Sequence, residues 1–169
     1  MTEKRPDLTA KTDGEIEEWI RNHERKSATT APLYLRLLEE RAQRSKKIGH
    51  LDINRSLDLL TTAAQNRRYV TYGDLAKASR VDWSQARHRM NGTNGHLDRL
   101  LDLCHARGLP LLPAICVNES GRESGKLEPA ALKGFVAGAR RIGFLVHDEV
   151  EFHRETVEGC FRWGASGTI

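Results

Sequence analysis

Residues 67–92 read RRYVTYGDLAKASRVDWSQARHRMNG, which is a short extended lead, a helix, a tight connection and a second helix. That order predicts a helix-turn-helix. Thr71 is placed to cap a helix running from Tyr72 to Ser79, with Leu75 and Ala76 turned inward, because its hydroxyl can accept from a free N–H of the first turn. Asp82 is placed to cap the next helix, where Trp83, Ala86 and Met90 recur at spacings of three and four and predict the buried face. The residues left pointing outward are Ser84, Gln85, Arg87, His88 and Arg89. Arginine bonds guanine O6 and N7 in pairs, glutamine does the same to adenine, and serine reaches phosphate or base edges. An ordinary solvated helix carries the same residue types.

Working toward the C-terminus, NGTNGHLDRLLDLCHARGLP (residues 91–110) turns at Gly92 and Gly95 and then predicts a helix. Leu97, Leu100, Leu101 and Cys104 form its core stripe, and Gly108 and Pro110 end it. The following run, LPLLPAICVNESGRESGKL (residues 109–127), is apolar from Leu109 to Val117, turns within NESGRESG and predicts a returning second strand. A hairpin of that form is a wing. Arg122 and Lys126 near its tip are candidates for a phosphate or the minor groove, although Glu119 and Glu123 dilute the attraction.

On the N-terminal side, residues 1–11 are polar and read as a flexible tail. A helix begins at Thr12 or Asp13, with Ile16, Trp19 and Ile20 on one face. After the connector SATTA a second runs from Leu33 to about Lys46, with Pro32 in its first turn and Gly49 as its stop. Glu39, Glu40, Arg41 and Arg44 on that helix read as a solvated face. Asp52 caps a third helix carrying Leu57, Leu60 and Ala64. Beyond the motif, a helix opening at Pro129 buries Leu132, Phe135, Val136 and Ala139, and one capped near Asp148 buries Phe152, Val157, Cys160 and Phe161. Between those two, RIGFLVHD is either a short strand or a turn, with Gly143 ending the preceding helix.

Lysine and arginine outnumber aspartate and glutamate 27 to 23, for a net charge of +4. Between residues 67 and 107 there are eight lysines and arginines against four aspartates, so the whole excess lies in the motif region. Such an excess suits a polyanion and predicts binding that weakens with salt. No run of about 18 apolar residues occurs and the first residues lack an apolar segment, which predicts a cytoplasmic protein without a membrane partner. Cys104, Cys116 and Cys160 are odd in number and widely spaced, which argues for buried reduced thiols over disulfides or a zinc finger.

VTYGDLA (residues 70–76), then an arginine-bearing helix, a leucine-rich helix and an apolar strand ending in a Gly-containing turn, resembles the DNA-binding domain of alkylguanine-DNA alkyltransferases and alkyltransferase-like proteins. The similarity spans residues 70–127, about a third of the chain. It implies a winged helix-turn-helix that engages the minor groove. The family's reactive cysteine lies in a Pro-Cys-His-Arg motif. Here LPLLPAICVN stands in its place, the cysteine's position falls near Pro113, and Cys116 is followed by Val117 and Asn118, so alkyl transfer is not implied. The pairing of a TYGDLA-type segment with a PAICVN-type strand also resembles bacterial and phage-borne proteins, which implies no chemistry.

The expectation is a mainly helical chain with a small β wing: a flexible tail (1–11), a helical region containing a hairpin (12–68), a winged helix-turn-helix (69–127) and C-terminal helices on the same core (128–169). It binds double-stranded DNA through Thr71, Tyr72, Ser84, Gln85, Arg87, His88 and Arg89, with Arg122 and Lys126 on the wing, and it regulates transcription or a mobile element. A homodimer is compatible with the added helices. No catalytic residue, metal or cofactor is expected. One rival is a metal-dependent nuclease or DNA-repair accessory built on His88, His96, His105, Asp98, Asp102 and Cys104, whose spacing matches no established ligand motif. Another is an interaction adaptor using Trp19, Tyr34 and Trp163, although each reads first as a core anchor.

Overall fold

The computed structural model describes residues 5–45, 51–92 and 94–167. Capping explains where the N-terminal helices begin. The Thr12 hydroxyl accepts from the Glu15 N–H while the Glu15 carboxylate accepts from the Thr12 N–H, a reciprocal box that opens α1 (Asp13–Arg25). Pro32 starts α2 (Pro32–Ser45), where its missing N–H costs nothing. Asp52 accepts from the Asn54 and Arg55 N–H groups at the start of α3 (Ile53–Gln65). The expected stop at Gly49 lies outside the described residues.

A two-residue strand, β1 (Val70–Thr71), leads into α4 (Tyr72–Ala78), α5 (Trp83–Met90) and α6 (His96–Ala106). A second short strand, β2 (Cys116–Val117), pairs with β1, and α7 (Pro129–Arg141) and α8 (Glu149–Ala165) follow. One hydrophobic cluster takes side chains from every helix. Within it α2 packs on α6 and α3 on α8. At Gly164 the α3 and α8 backbones come so close that an added Cβ would sit 2.4 Å from the Ala64 carbonyl carbon, so only glycine fits. None of the helices is long and apolar enough to cross a membrane, among the described residues.

The expected wing hairpin does not form. Val70 aligns with Cys116 and Thr71 with Val117 in a parallel ladder, so the apolar run pairs backward to β1 instead of forward to a returning strand. Leu112–Ile115 first winds into a 3-10 turn, and every residue from Leu111 to Val117 is buried, packed among α3, α6 and α8. The apolar run is thereby consumed by the core. Residues 118–126 form a compact loop containing a second 3-10 turn, Glu119–Gly121, closed by the Gly125 N–H donating to the Gly121 carbonyl. Gly125, at a φ of +73°, lies flat against the Tyr69 ring, where any side chain would collide.

Two further expectations change. Residues 5–11, read as a flexible tail, lie against α2: Leu8 is buried, and Arg44 donates to the Leu8 and Lys11 carbonyls. Residues 1–4 are outside the described set. The charged face of α2 and the aspartates of α6, read as solvated, are partly inside the protein. Asp102 is fully buried, with Arg41 Nη2 at 2.5 Å, Arg141 Nη2 at 2.6 Å and Arg99 Nη1 at 3.5 Å. Glu17 faces Arg41 and Arg99, and Glu24 faces Arg141. Three guanidiniums and three carboxylates therefore balance at the junction of α1, α2, α6 and α7. Charges so placed compensate one another's lost hydration, and removing one strands the rest.

Candidate nucleic-acid interface

The connection between α4 and α5 is built by local chemistry. The Arg80 N–H donates to the Lys77 carbonyl and the Val81 N–H to the Ala76 carbonyl, a paired closure that satisfies the last carbonyls of α4. It requires a left-handed residue, and Arg80 takes that position at a φ of +58°. Val81 then packs against the core ahead of α5. The Ser79 hydroxyl accepts from the Asp52 N–H, tying the end of α4 to the start of α3.

On α5 only Ala86 and Met90 are buried. Ser84, Gln85, Arg87, His88 and Arg89 are all exposed, as the sequence predicts. Arg87 Nε lies 3.4 Å from His88 Nε2, and neither Arg87 nor Arg89 enters an ion pair among the described residues. Asp82 occupies the N-cap position without a side-chain capping bond. Trp83, expected in the buried face, is 44% exposed and joins the outward set. As the first residue of a two-turn helix it projects beyond the part of α5 that meets the core, a placement that spacing alone does not reveal.

The remaining predicted contacts divide. Thr71 is 2% exposed, and its hydroxyl accepts from the Asp74 N–H while the Asp74 carboxylate accepts from the Thr71 N–H, so its polar group is spent on capping α4. Tyr72 is 7% exposed and lines a solvent-open pocket. Neither side chain is presented to a duplex. Arg122 is exposed, but it is held by Asp74 and Glu119, each at 2.9 Å. Burial pushes the Asp74 carboxyl up, yet bonds from Arg122 and Thr71 outweigh it and hold the group below the ordinary carboxylate range. Lys126 is exposed and outside any ion pair among the described residues.

The basic excess counted along residues 67–107 is also redistributed. Arg99 belongs to the buried cluster, Arg107 pairs with Glu39, and Arg67 pairs with Glu158. Arg68, Lys77, Arg80, Arg87 and Arg89 remain exposed without an ion pair, among the described residues.

The groups considered for metal chemistry are dispersed. His96 bonds the Ser56 hydroxyl, His105 bonds the Thr29 carbonyl, and Asp102 is enclosed by arginines. Among the described residues no three His, Cys, Asp or Glu side chains gather as a metal site. Burial pushes the Cys104 and Cys160 thiols up to about 12 and the Cys116 thiol well above its ordinary value, so none is a ready thiolate. Tyr34 is fully buried with its hydroxyl donating to Glu24, and Trp19 and Trp163 are half-buried against the core. Comparison of the chain with protein-family models, curated proteins and solved structures finds no match.

Proposed function

We propose that this chain binds double-stranded DNA by laying α5 against the duplex, and that it acts in the cytoplasm as a regulator of transcription or of a mobile element. The observation that carries the reading is the outward face of α5: Ser84, Gln85, Arg87, His88 and Arg89 are exposed together, and the two arginines lack ion-pair partners among the described residues. Elsewhere arginines such as Arg41, Arg44, Arg107, Arg122 and Arg141 are neutralised by carboxylates. An unneutralised guanidinium pair on a short projecting helix suits phosphates and base edges.

The helix-turn-helix reading of α4 and α5 is supported by their order, by the closed turn at Arg80 and by the resemblance of VTYGDLA to the alkyltransferase DNA-binding domain. In place of a wing hairpin, the loop 118–126 flanks α4 and offers Lys126, while Arg122 serves as a clamp. Trp83 adds an aromatic surface beside the arginines, suited to packing on deoxyribose or an unstacked base. Lys77 and Arg80 extend the positive field.

The test is a fluorescence-anisotropy titration of labelled duplex at a series of salt concentrations. The reading expects saturable binding at low salt, with log K falling by about 0.9 per phosphate contact for each decade of salt. Absence of binding at low salt overturns it.

A further inference from the structure

Behind the helix-turn-helix, α6 and α7 part around a cavity of about 460 Å³. Its walls are apolar where Leu97 and Leu101 of α6 face Ala131 and Gly134 of α7, and Tyr72 and Phe135 contribute to the lining. Small residues on α7 create the space. A Cβ at Gly134 would meet nothing within 4 Å, whereas one at Gly138 would press on Leu101 at 2.6 Å, so the two helices touch at Gly138 and open at Gly134.

The polar groups on this lining are unevenly charged. Asp98 is half-buried there, and its only hydrogen bond among the described residues is from the Asn94 N–H, at 3.1 Å. Arg141 also reaches the cavity, but its guanidinium donates to Asp102 at 2.6 Å and to Glu24 at 3.3 Å. Arg41, Arg99 and Arg141 pair directly with Glu17, Glu24 and Asp102, whereas Asp98 feels Arg141 and Arg99 through space without a direct ion pair among the described residues. Burial raises its carboxyl above the ordinary value, and the opposing pull of Arg141 and of the Asn94 N–H does not fully offset it. Glu128 adds a second negative group at the cavity.

We propose that this cavity is a binding site for a small organic cation of the amidine or guanidine type, with its apolar body between α6 and α7 and its charged N–H groups on Asp98. The positive charge of Arg141 at the cavity is taken up by Asp102 and Glu24. Apolar walls take the hydrocarbon body, and the Asp98 carboxylate accepts N–H donors. The inference does not depend on DNA binding by α5, since it rests on other residues.

Benzamidine is the probe, followed by amide-resolved NMR titration of the full chain, with benzamide and benzoate as ring-matched neutral and anionic comparators. Saturable shifts confined to the cavity-lining residues Gly92, Leu101 and Gly134 are expected with benzamidine, binding at least about ten-fold weaker with benzamide, and none with benzoate. Asp98→Asn keeps the acceptor for the Asn94 N–H and is expected to weaken benzamidine binding by at least about ten-fold. Gly134→Leu fills the open side of the cavity and is expected to abolish binding, and a retained amide spectrum shows that the fold survives. The proposal is overturned by no saturable benzamidine shift, by benzoate or benzamide binding equally well, or by either folded variant binding like the parent.

Discussion

The Arg122 guanidinium donates to the Asp74 carboxylate across 2.9 Å, joining the loop after β2 to the first turn of α4. Asp74 simultaneously accepts from the Thr71 N–H, so one carboxylate serves both as half of the α4 capping box and as the anchor of the loop. Arg122 is thus spent on architecture. Arg122→Ala is expected to raise hydrogen exchange and protease cleavage within residues 118–126 while changing duplex affinity less than loss of either α5 arginine does. Unchanged exchange in the loop would show that the clamp does not order it.

Asp102 sits at the centre of the buried arginine cluster, and its removal leaves three guanidiniums facing two partly exposed glutamates. Asp102→Ala is expected to lower unfolding free energy by about 3–5 kcal/mol, the scale for stranding buried charge. Urea unfolding monitored by circular dichroism measures it. A loss below about 1 kcal/mol would mean that the cluster is hydrated and not structural.

His96 gives stability a pH dependence of definite sign. Burial pushes its imidazole down to about 4, and its Nε2 lies 2.7 Å from the Ser56 hydroxyl. The unfolded chain keeps a value of about 6.5, so between about pH 6.5 and 4 the unfolded state binds a proton that the folded state refuses. The contribution is therefore full above about 6.5 and lost as pH falls toward 4, with a size of about 3 kcal/mol. His153, also lowered by burial, acts in the same direction. His96→Gln is expected to flatten the fall in urea midpoint between about pH 7 and 5 without removing it entirely. An unaltered slope would contradict the assignment.

The helices are legible in the sequence because caps and apolar stripes are local. Thr12, Asp52, Thr71 and Asp148 all accept backbone N–H groups at helix starts that their positions announce. The β1–β2 ladder is not legible, since each strand has two residues and the partner of Val70 is Cys116, far along the chain. The apolar run before Asn118 signals burial but not whether its partner precedes or follows it. Arg41 and Asp102 look like surface charge from spacing alone, because their mutual compensation exists only after α2 and α6 pack together. On α5 the outward polar set is legible from periodicity, whereas the exposure of Trp83 follows from where the helix leaves the core.

The most direct measurement of DNA binding by α5 is the affinity of the Arg87→Ala, Arg89→Ala double variant for the same duplex as the parent, at low salt. Both side chains are exposed, so the variant is expected to fold as the parent does. Affinity at least about ten-fold weaker and a salt slope reduced by about 1–2 are expected. A folded double variant that binds with the parent's affinity and salt slope would contradict it.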